Sequence, residues 1–202
     1  MNDTRQVNFF MYHFLLGSLL FCIAMLSGAP SVSAAHQDLE VKVQLAERQS
    51  ATVIGSSSTA TVSGYTSNGW KELGRLLPNQ ELHLKSLASS IAVLNLDGHP
   101  QYREVRIDPP NDDAYLTLNK KPYRGSFYMV AQRSGFDVRN IVSLEQYLYS
   151  VVPSEMPASW PMDALKSQAV AARTFALVHL GGSHKRGYDL TATTASQVYQ
   201  GV

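Results

Sequence analysis

Glu155 stands in the link Pro153-Ser154-Glu155-Met156-Pro157, where a proline on either side stiffens the backbone around one carboxyl group. A carboxyl held in that way can serve as a general acid or base. A glutamate after a serine is also an ordinary capping or surface residue. Downstream, Lys166 and Arg173 lie seven residues apart. On a helix that spacing puts both cations on one face, about 10 Å apart along the axis. Such a pair can hold carboxylates, the arginine through a bidentate fork, and it can equally be two solvated charges. Trp160 and Tyr199 offer faces of the kind that stack on sugar rings, although a tryptophan opening an amphipathic helix also suits core packing. The only cysteine, Cys22, sits in an apolar stretch near the N-terminus, which excludes a thiol nucleophile or thiolate metal ligand from the rest of the chain. His179 and His184 lack the spacing of a tetrahedral site and read as surface residues.

Two helices must position these groups. Ser143 is a good N-cap, with Gln146 three residues on to complete a capping box, and a helix through Leu144, Tyr147 and Leu148 should end near Pro153. The second begins around Pro161, carries Asp163 in its first turn, is rich in alanine, and stops near Leu180 before Gly181-Gly182. Upstream the pattern is short and alternating. Val41, Val43 and Leu45 alternate with polar neighbours, as do Val53 with Thr52, Val62 with Thr61 and Ser63, and Leu82 and Leu84 around His83. Gly55-Ser56-Ser57-Ser58 and Asn68-Gly69 read as turns, and Pro109-Pro110-Asn111-Asp112-Asp113 as a turn or boundary. Strands resume at Tyr115–Leu118, turn through Asn119-Lys120-Lys121-Pro122, and continue over Ser126–Val130. The expected fold class is α+β: a β-rich body with two consecutive helices, 143–153 and 161–180, and Glu155 at their junction.

The run Ser143–Leu148, then Val151–Pro161, then Ala164–Thr174 closely resembles the sporulation stage II protein D family, to which the amidase enhancer LytB belongs. Tyr123-Arg124-Gly125 and Gln197-Val198-Tyr199-Gln200-Gly201 match two further landmarks of that family, so the resemblance covers roughly residues 112–202. Sporulation members are lytic transglycosylases that cut the MurNAc-GlcNAc bond in glycan strands stripped of stem peptides, leaving 1,6-anhydro ends. The resemblance implies that Glu155 is the catalytic carboxyl, and that Lys166, Arg173, Gln197 and Tyr199 are binding-site residues. It implies no cofactor here. Some members hold a metal through cysteine and histidine just before Gln-Val-Tyr, but Asp189–Ser196 contains neither, so no metal site carries over. The family domain ordinarily continues beyond this point through further strands and a Ser-Gly-Gly motif, so the chain is expected to hold only part of it.

The chemistry this implies is simple. An acetal needs a proton on its leaving oxygen, which a carboxyl of raised pKa supplies. If the sugar's own 6-hydroxyl then attacks the oxocarbenium-like carbon, no second protein carboxylate is required, unlike the two-carboxylate hydrolases. Lys166 and Arg173 would face the lactyl carboxylates of the stripped strand. The competing expectation is a wall-binding module that assists an N-acetylmuramoyl-L-alanine amidase without cutting glycan, and a plain structural envelope domain is a third.

The balance of charge agrees with a placed rather than diffuse recognition. The chain has 202 residues, 45% hydrophobic and 16% charged, with a net charge of +1. That is too even for a nucleic-acid partner. Its start reads as an export signal: Arg5, the apolar stretch Phe9–Leu26, then Ser31-Val32-Ser33-Ala34-Ala35 for cleavage, with an uncleaved membrane anchor as the alternative. The expected organisation is a signal peptide over 1–35, a β-rich region over 36–110 and a SpoIID/LytB-like domain over 111–202. The expected location is secreted or periplasmic, in the cell envelope, with peptidoglycan glycan strands as the partner.

Overall fold

A computed structural model describes residues 39–181 and 186–202. The export-signal and anchor readings on residues 1–35, and His184, lie outside the described residues. Among the described residues no helix is long and apolar enough to cross a membrane.

The chain builds β1 (Glu40–Gln49), β2 (Ala51–Ser56), β3 (Ala60–Thr66), β4 (Gly69–Leu76), β5 (Glu81–Leu87), β6 (Ser90–Val93), β7 (Gln101–Tyr102) and β8 (Glu104–Asp108). There follow β9 (Tyr115–Leu118), β10 (Lys121–Arg124), β11 (Ser126–Gln132), β12 (Gly135–Ser143), helix α1 (Leu144–Glu155), helix α2 (Met162–His179) and β13 (Leu190–Thr191). The architecture is α+β, strand-rich with two consecutive helices. The strands form a seven-stranded sheet ordered β13-β1-β12-β11-β8-β3-β4 and a six-stranded sheet ordered β10-β9-β2-β5-β6-β7. Only the β1–β13 pairing is parallel among the described strands.

Both sheets draw strands from either side of residue 110, so the Pro109-Pro110 turn is a link within one body rather than a domain seam. One buried cluster takes Val62, Ile107, Phe127 and Met129 from the first sheet and Ile54, Leu84, Ile91 and Leu116 from the second. Burying such side chains is the main favourable term holding the sheets together, at about 1.5–3 kcal/mol for each large one.

Alternation predicts the inward face well where a strand has one wet side. Val41 and Val43, Val62, and Leu82 and Leu84 all point inward. In β2 the phase is the reverse of the expectation: Thr52, Ile54 and Ser56 are buried and Val53 is half-buried. The core needs Ile54, and Thr52 tolerates burial because its hydroxyl donates to Asn119 Oδ1 at 3.1 Å. The turn after β9 is tighter than expected, using only Asn119 and Lys120 at φ 50° and 73°. That geometry leaves Lys121 and Pro122 inside β10, where proline is accommodated on a sheet edge.

The sequence pattern gave no sign of β12, which lies between β1 and β11 in the seven-stranded sheet. Its Asp137, Arg139 and Asn140 look like loop residues. Arg139 and Asn140 are nonetheless buried, because each has partners: Arg139 donates to Gln44 Oε1 (3.2 Å) and to the Arg186 carbonyl (2.9 Å).

Candidate functional site

The end of β12 runs straight into α1. Ser143 Oγ accepts the Gln146 N–H at 3.3 Å, so the cap forms as expected. The reciprocal half of the capping box does not. The Gln146 side chain instead donates to the Asp112 carbonyl at 3.1 Å, and Arg124 Nη1 donates to the same oxygen at 3.1 Å. Helix α1 buries Leu144, Tyr147, Leu148 and Val151. It also passes the expected stop, with Pro153 inside it and two more residues beyond. Proline removes one N–H, which would have gone to the Tyr149 carbonyl. The last turn survives because Met156 N–H still bonds the Val152 carbonyl (3.1 Å) and Ser154 Oγ the Ser150 carbonyl (2.8 Å). Glu155 is thereby the last helical residue.

The segment Gln197–Val202 is laced to this helix and to strands β10 and β12. The Tyr147 hydroxyl donates to Gln197 Oε1 at 3.1 Å, and the Val198 N–H to Glu155 Oε1 at 2.7 Å. The Gln200 N–H donates to Ser150 Oγ at 3.0 Å, and the Val202 N–H to the Pro122 carbonyl at 3.0 Å. The Tyr199 ring stacks on Tyr147 with centroids 5.1 Å apart, and its hydroxyl donates to Asn140 Oδ1 at 2.6 Å. Asn140 in turn donates to the carbonyls of Arg124 (2.9 Å) and Ser126 (3.0 Å), bridging Gly125. Gly125 sits at φ +74° with its hydrogen against the Ile141 carbonyl, so no side chain fits there. The motifs Tyr-Arg-Gly, Glu-Met-Pro and Gln-Val-Tyr-Gln-Gly thus meet through one polar network.

That network engages two residues of the expected site. Gln197 and Tyr199 are buried, at 7% and 2% exposure, and the bonds above already engage Gln197 Oε1 and the Tyr199 hydroxyl. Burial, followed by the charge of Glu155, raises the ionisation of Tyr147 above the usual tyrosine range, and burial does the same for Tyr199. Both hydroxyls therefore stay protonated as donors.

Glu155 itself is exposed, and among the described residues nothing hydrogen-bonds its Oε2. Lys166 is exposed on α2 with Asp163 as a loose partner at 3.5 Å. Arg173 is not free. It clamps Glu145 of α1 with three bonds of 3.1, 2.8 and 2.6 Å. The seven-residue spacing of Lys166 and Arg173 says nothing about a carboxylate arriving from another helix, and Glu145 supplies one. Trp160 is half-exposed at 50%, against its reading as a core residue. It falls in the short link before α2, which buries only Ala172 and Ala176. His179 stacks on Phe175, with Nδ1 2.7 Å from its carbonyl oxygen. Among the described residues no group of three histidines, cysteines or carboxylates could hold a metal ion.

Beside α1 opens a cleft of about 480 Å³, lined among others by Arg124, Gln146, Tyr149, Ser154 and Gln200. Arg124, Ser150, Asn140 and Glu145 are the residues that sequence reasoning missed. The first was visible only as a motif letter. The other three act across 14 to 59 residues of chain, where no local spacing signals them.

A family model described as Stage II sporulation protein matches residues 132–202. The amidase enhancer of Bacillus subtilis is 33% identical over 149 residues, 71% of this chain and 20% of its own length. Stage II sporulation protein D of Bacillus subtilis is 49% identical over 59 residues, covering 29% of this chain and 16% of its own. An uncharacterized protein of Brachyspira hyodysenteriae is 44% identical over 87 residues, 43% of this chain and 24% of its own. The matched parts thus span a quarter or less of these relatives. No solved structure matches. The matched segment carries α1, α2 and the Gln-Val-Tyr-Gln-Gly network together, and by it the chain belongs to the SpoIID/LytB family.

Proposed function

We propose that this is an exported, peptidoglycan-directed protein whose Glu155 supports lytic cleavage of the MurNAc-GlcNAc bonds of denuded glycan strands. The observation that carries the reading is the fastening of Glu155 between α1 and the Gln-Val-Tyr-Gln-Gly segment, with Oε1 held by the Val198 amide. A carboxyl so tied has a fixed direction, and Oε2 can carry the proton. In the reaction the Glu155 carboxyl protonates the glycosidic oxygen and the bond from that oxygen to C1 of the muramic residue breaks. The 6-hydroxyl of the same residue attacks C1 and returns its proton to the carboxylate, which restores the acid. An exposed position suits a polymer that must approach from outside. Lys166, whose only ion-pair partner among the described residues is Asp163 at 3.5 Å, would meet a lactyl carboxylate, whereas Arg173 must first exchange Glu145 for it.

The test is incubation of the full chain with stem-peptide-free glycan strands and mass analysis of the products. Release of 1,6-anhydro ends, abolished in Glu155→Gln, is the expected result. Folded protein that yields none sinks the lytic reading.

A second reading is favoured by the Arg173–Glu145 clamp and by the breadth of the match to a relative named amidase enhancer. Here the chain grips wall glycan and assists an N-acetylmuramoyl-L-alanine amidase. Amidase stimulation that persists in Glu155→Gln selects this reading over the first.

A further inference from the structure

The face of the seven-stranded sheet turned away from the core carries an aromatic group that the site around Glu155 does not use. Strand register sets Ser63, Arg106, Tyr128 and Arg139 side by side across β3, β8, β11 and β12. Their neighbours Val62, Val105, Ile107, Phe127 and Met129 point into the core, so Ser63, Arg106 and Tyr128 face outward, while Arg139 at the end of the row is covered by its bonds to Gln44 and the Arg186 carbonyl. Tyr65 lies on the same face two residues beyond Ser63 and pairs with Trp70 across the β3–β4 hairpin. The indole of Trp70 is gripped from two sides by edge contacts, to Tyr65 at 5.3 Å and 66° and to Tyr128 at 6.0 Å and 72°. It nevertheless remains 43% exposed, and Tyr65 48%.

Polar groups beside these rings are fixed. The Tyr128 hydroxyl donates to Glu104 Oε2 at 2.6 Å, and Arg106 pairs with Asp108 at 2.7 Å. Arg139 lies over the Tyr128 ring at 5.8 Å. The Glu104 carboxylate carries a hydroxyl donor and Arg106 and Asp108 neutralise each other, which suits neither a polyanion nor an apolar peptide. Immobilised aromatic faces among fixed donors and acceptors suit a neutral ligand with an apolar face and many hydroxyls. A pyranose ring is such a ligand.

We propose that this outer face is a second glycan-binding surface, on which Trp70 stacks against the C–H face of an N-acetylhexosamine and the neighbouring polar groups take its hydroxyls. Trp70, Tyr65, Glu104, Arg106 and Tyr128 all precede residue 132, where the family match begins. The surface therefore gives the N-terminal strands a task of their own: holding a strand of the wall polymer while the Glu155 site works on it. Only the choice of polymer rests on the function proposed above.

The probe is the N-acetylglucosamine tetramer. Titrated into the full chain carrying Trp160→Phe, it should shift the emission of Trp70, the one tryptophan left. By calorimetry on the otherwise unaltered chain, Trp70→Ala should weaken binding at least about fivefold, equal to roughly 1 kcal/mol for one aromatic contact. Tyr65→Ala, at the more exposed ring, should weaken it in the same direction and guards against misfolding of the Trp70 variant. No binding by folded protein, or unchanged binding in folded Trp70→Ala, overturns the proposal. So does concentration-dependent self-association that disappears in Trp70→Ala, which would make a second copy the occupant. Trp70-dependent binding without anhydro products or amidase stimulation would refute the proposed function and leave this surface standing.

Discussion

Glu155 Oε1 accepts the backbone N–H of Val198 at 2.7 Å, across 43 residues of sequence. The bond joins the last residue of α1 to the Gln-Val-Tyr-Gln-Gly segment, so the orientation of the carboxyl depends on two motifs at once. It also sets the two oxygens apart: one anchors, and among the described residues the other has no hydrogen-bond partner.

That division separates two substitutions. Glu155→Gln keeps a carbonyl oxygen for Val198 and should leave the melting temperature within about 2 °C, while losing glycan cleavage by the roughly 10²–10⁴-fold expected of a general acid. Glu155→Ala should lose the cleavage and also about 1 kcal/mol of stability, some 2–4 °C for a chain of this size. Product analysis beside thermal unfolding distinguishes them.

The Arg173–Glu145 clamp is partly exposed, so its strength must be discounted for solvent screening. A double-mutant cycle with Arg173→Ala and Glu145→Ala should give a coupling of about 0.5–1 kcal/mol, shrinking at high salt. Glu145→Gln should release Arg173 and tighten binding of stripped glycan strands. Unchanged affinity would mean that the arginine serves only to join the two helices.

Tyr199→Phe keeps the stacking on Tyr147 but leaves the buried Asn140 Oδ1 without its donor. A loss of about 1–3 kcal/mol in denaturant unfolding is expected. The loss should exceed that of Tyr149→Phe, whose ring is 69% exposed. Equal losses would contradict the network.

Four of the ten tyrosines, Tyr123, Tyr128, Tyr147 and Tyr199, have their ionisation raised by burial, with Glu104 adding to the effect at Tyr128. The protonated form is favoured in the fold. Their contribution to stability is therefore complete below the ordinary tyrosine value of 10.0 and is lost as the pH climbs from there toward the raised values. Tyrosinate absorbance at high pH should show these four ionising together with the loss of circular dichroism. Ionisation of these four while the circular dichroism is still native would refute the effect of their burial.

Short-range order was legible in the sequence. Proline positions, the Ser143 cap and the alternation in β1, β3 and β5 follow from backbone sterics and one-sided burial, which act over a few residues. Motif recognition likewise located Glu155 and the segment that meets it. What only the tertiary structure decided were the partnerships. Arg173 is taken by Glu145, Gln197 and Tyr199 are drawn into the interior, Asn140 is made the hub, and Trp160 is left outside. Each depends on chains 28 to 59 residues apart meeting in space, or on an absent neighbour, and a hydrogen-bonding group carries no mark in sequence of the partner that will satisfy it.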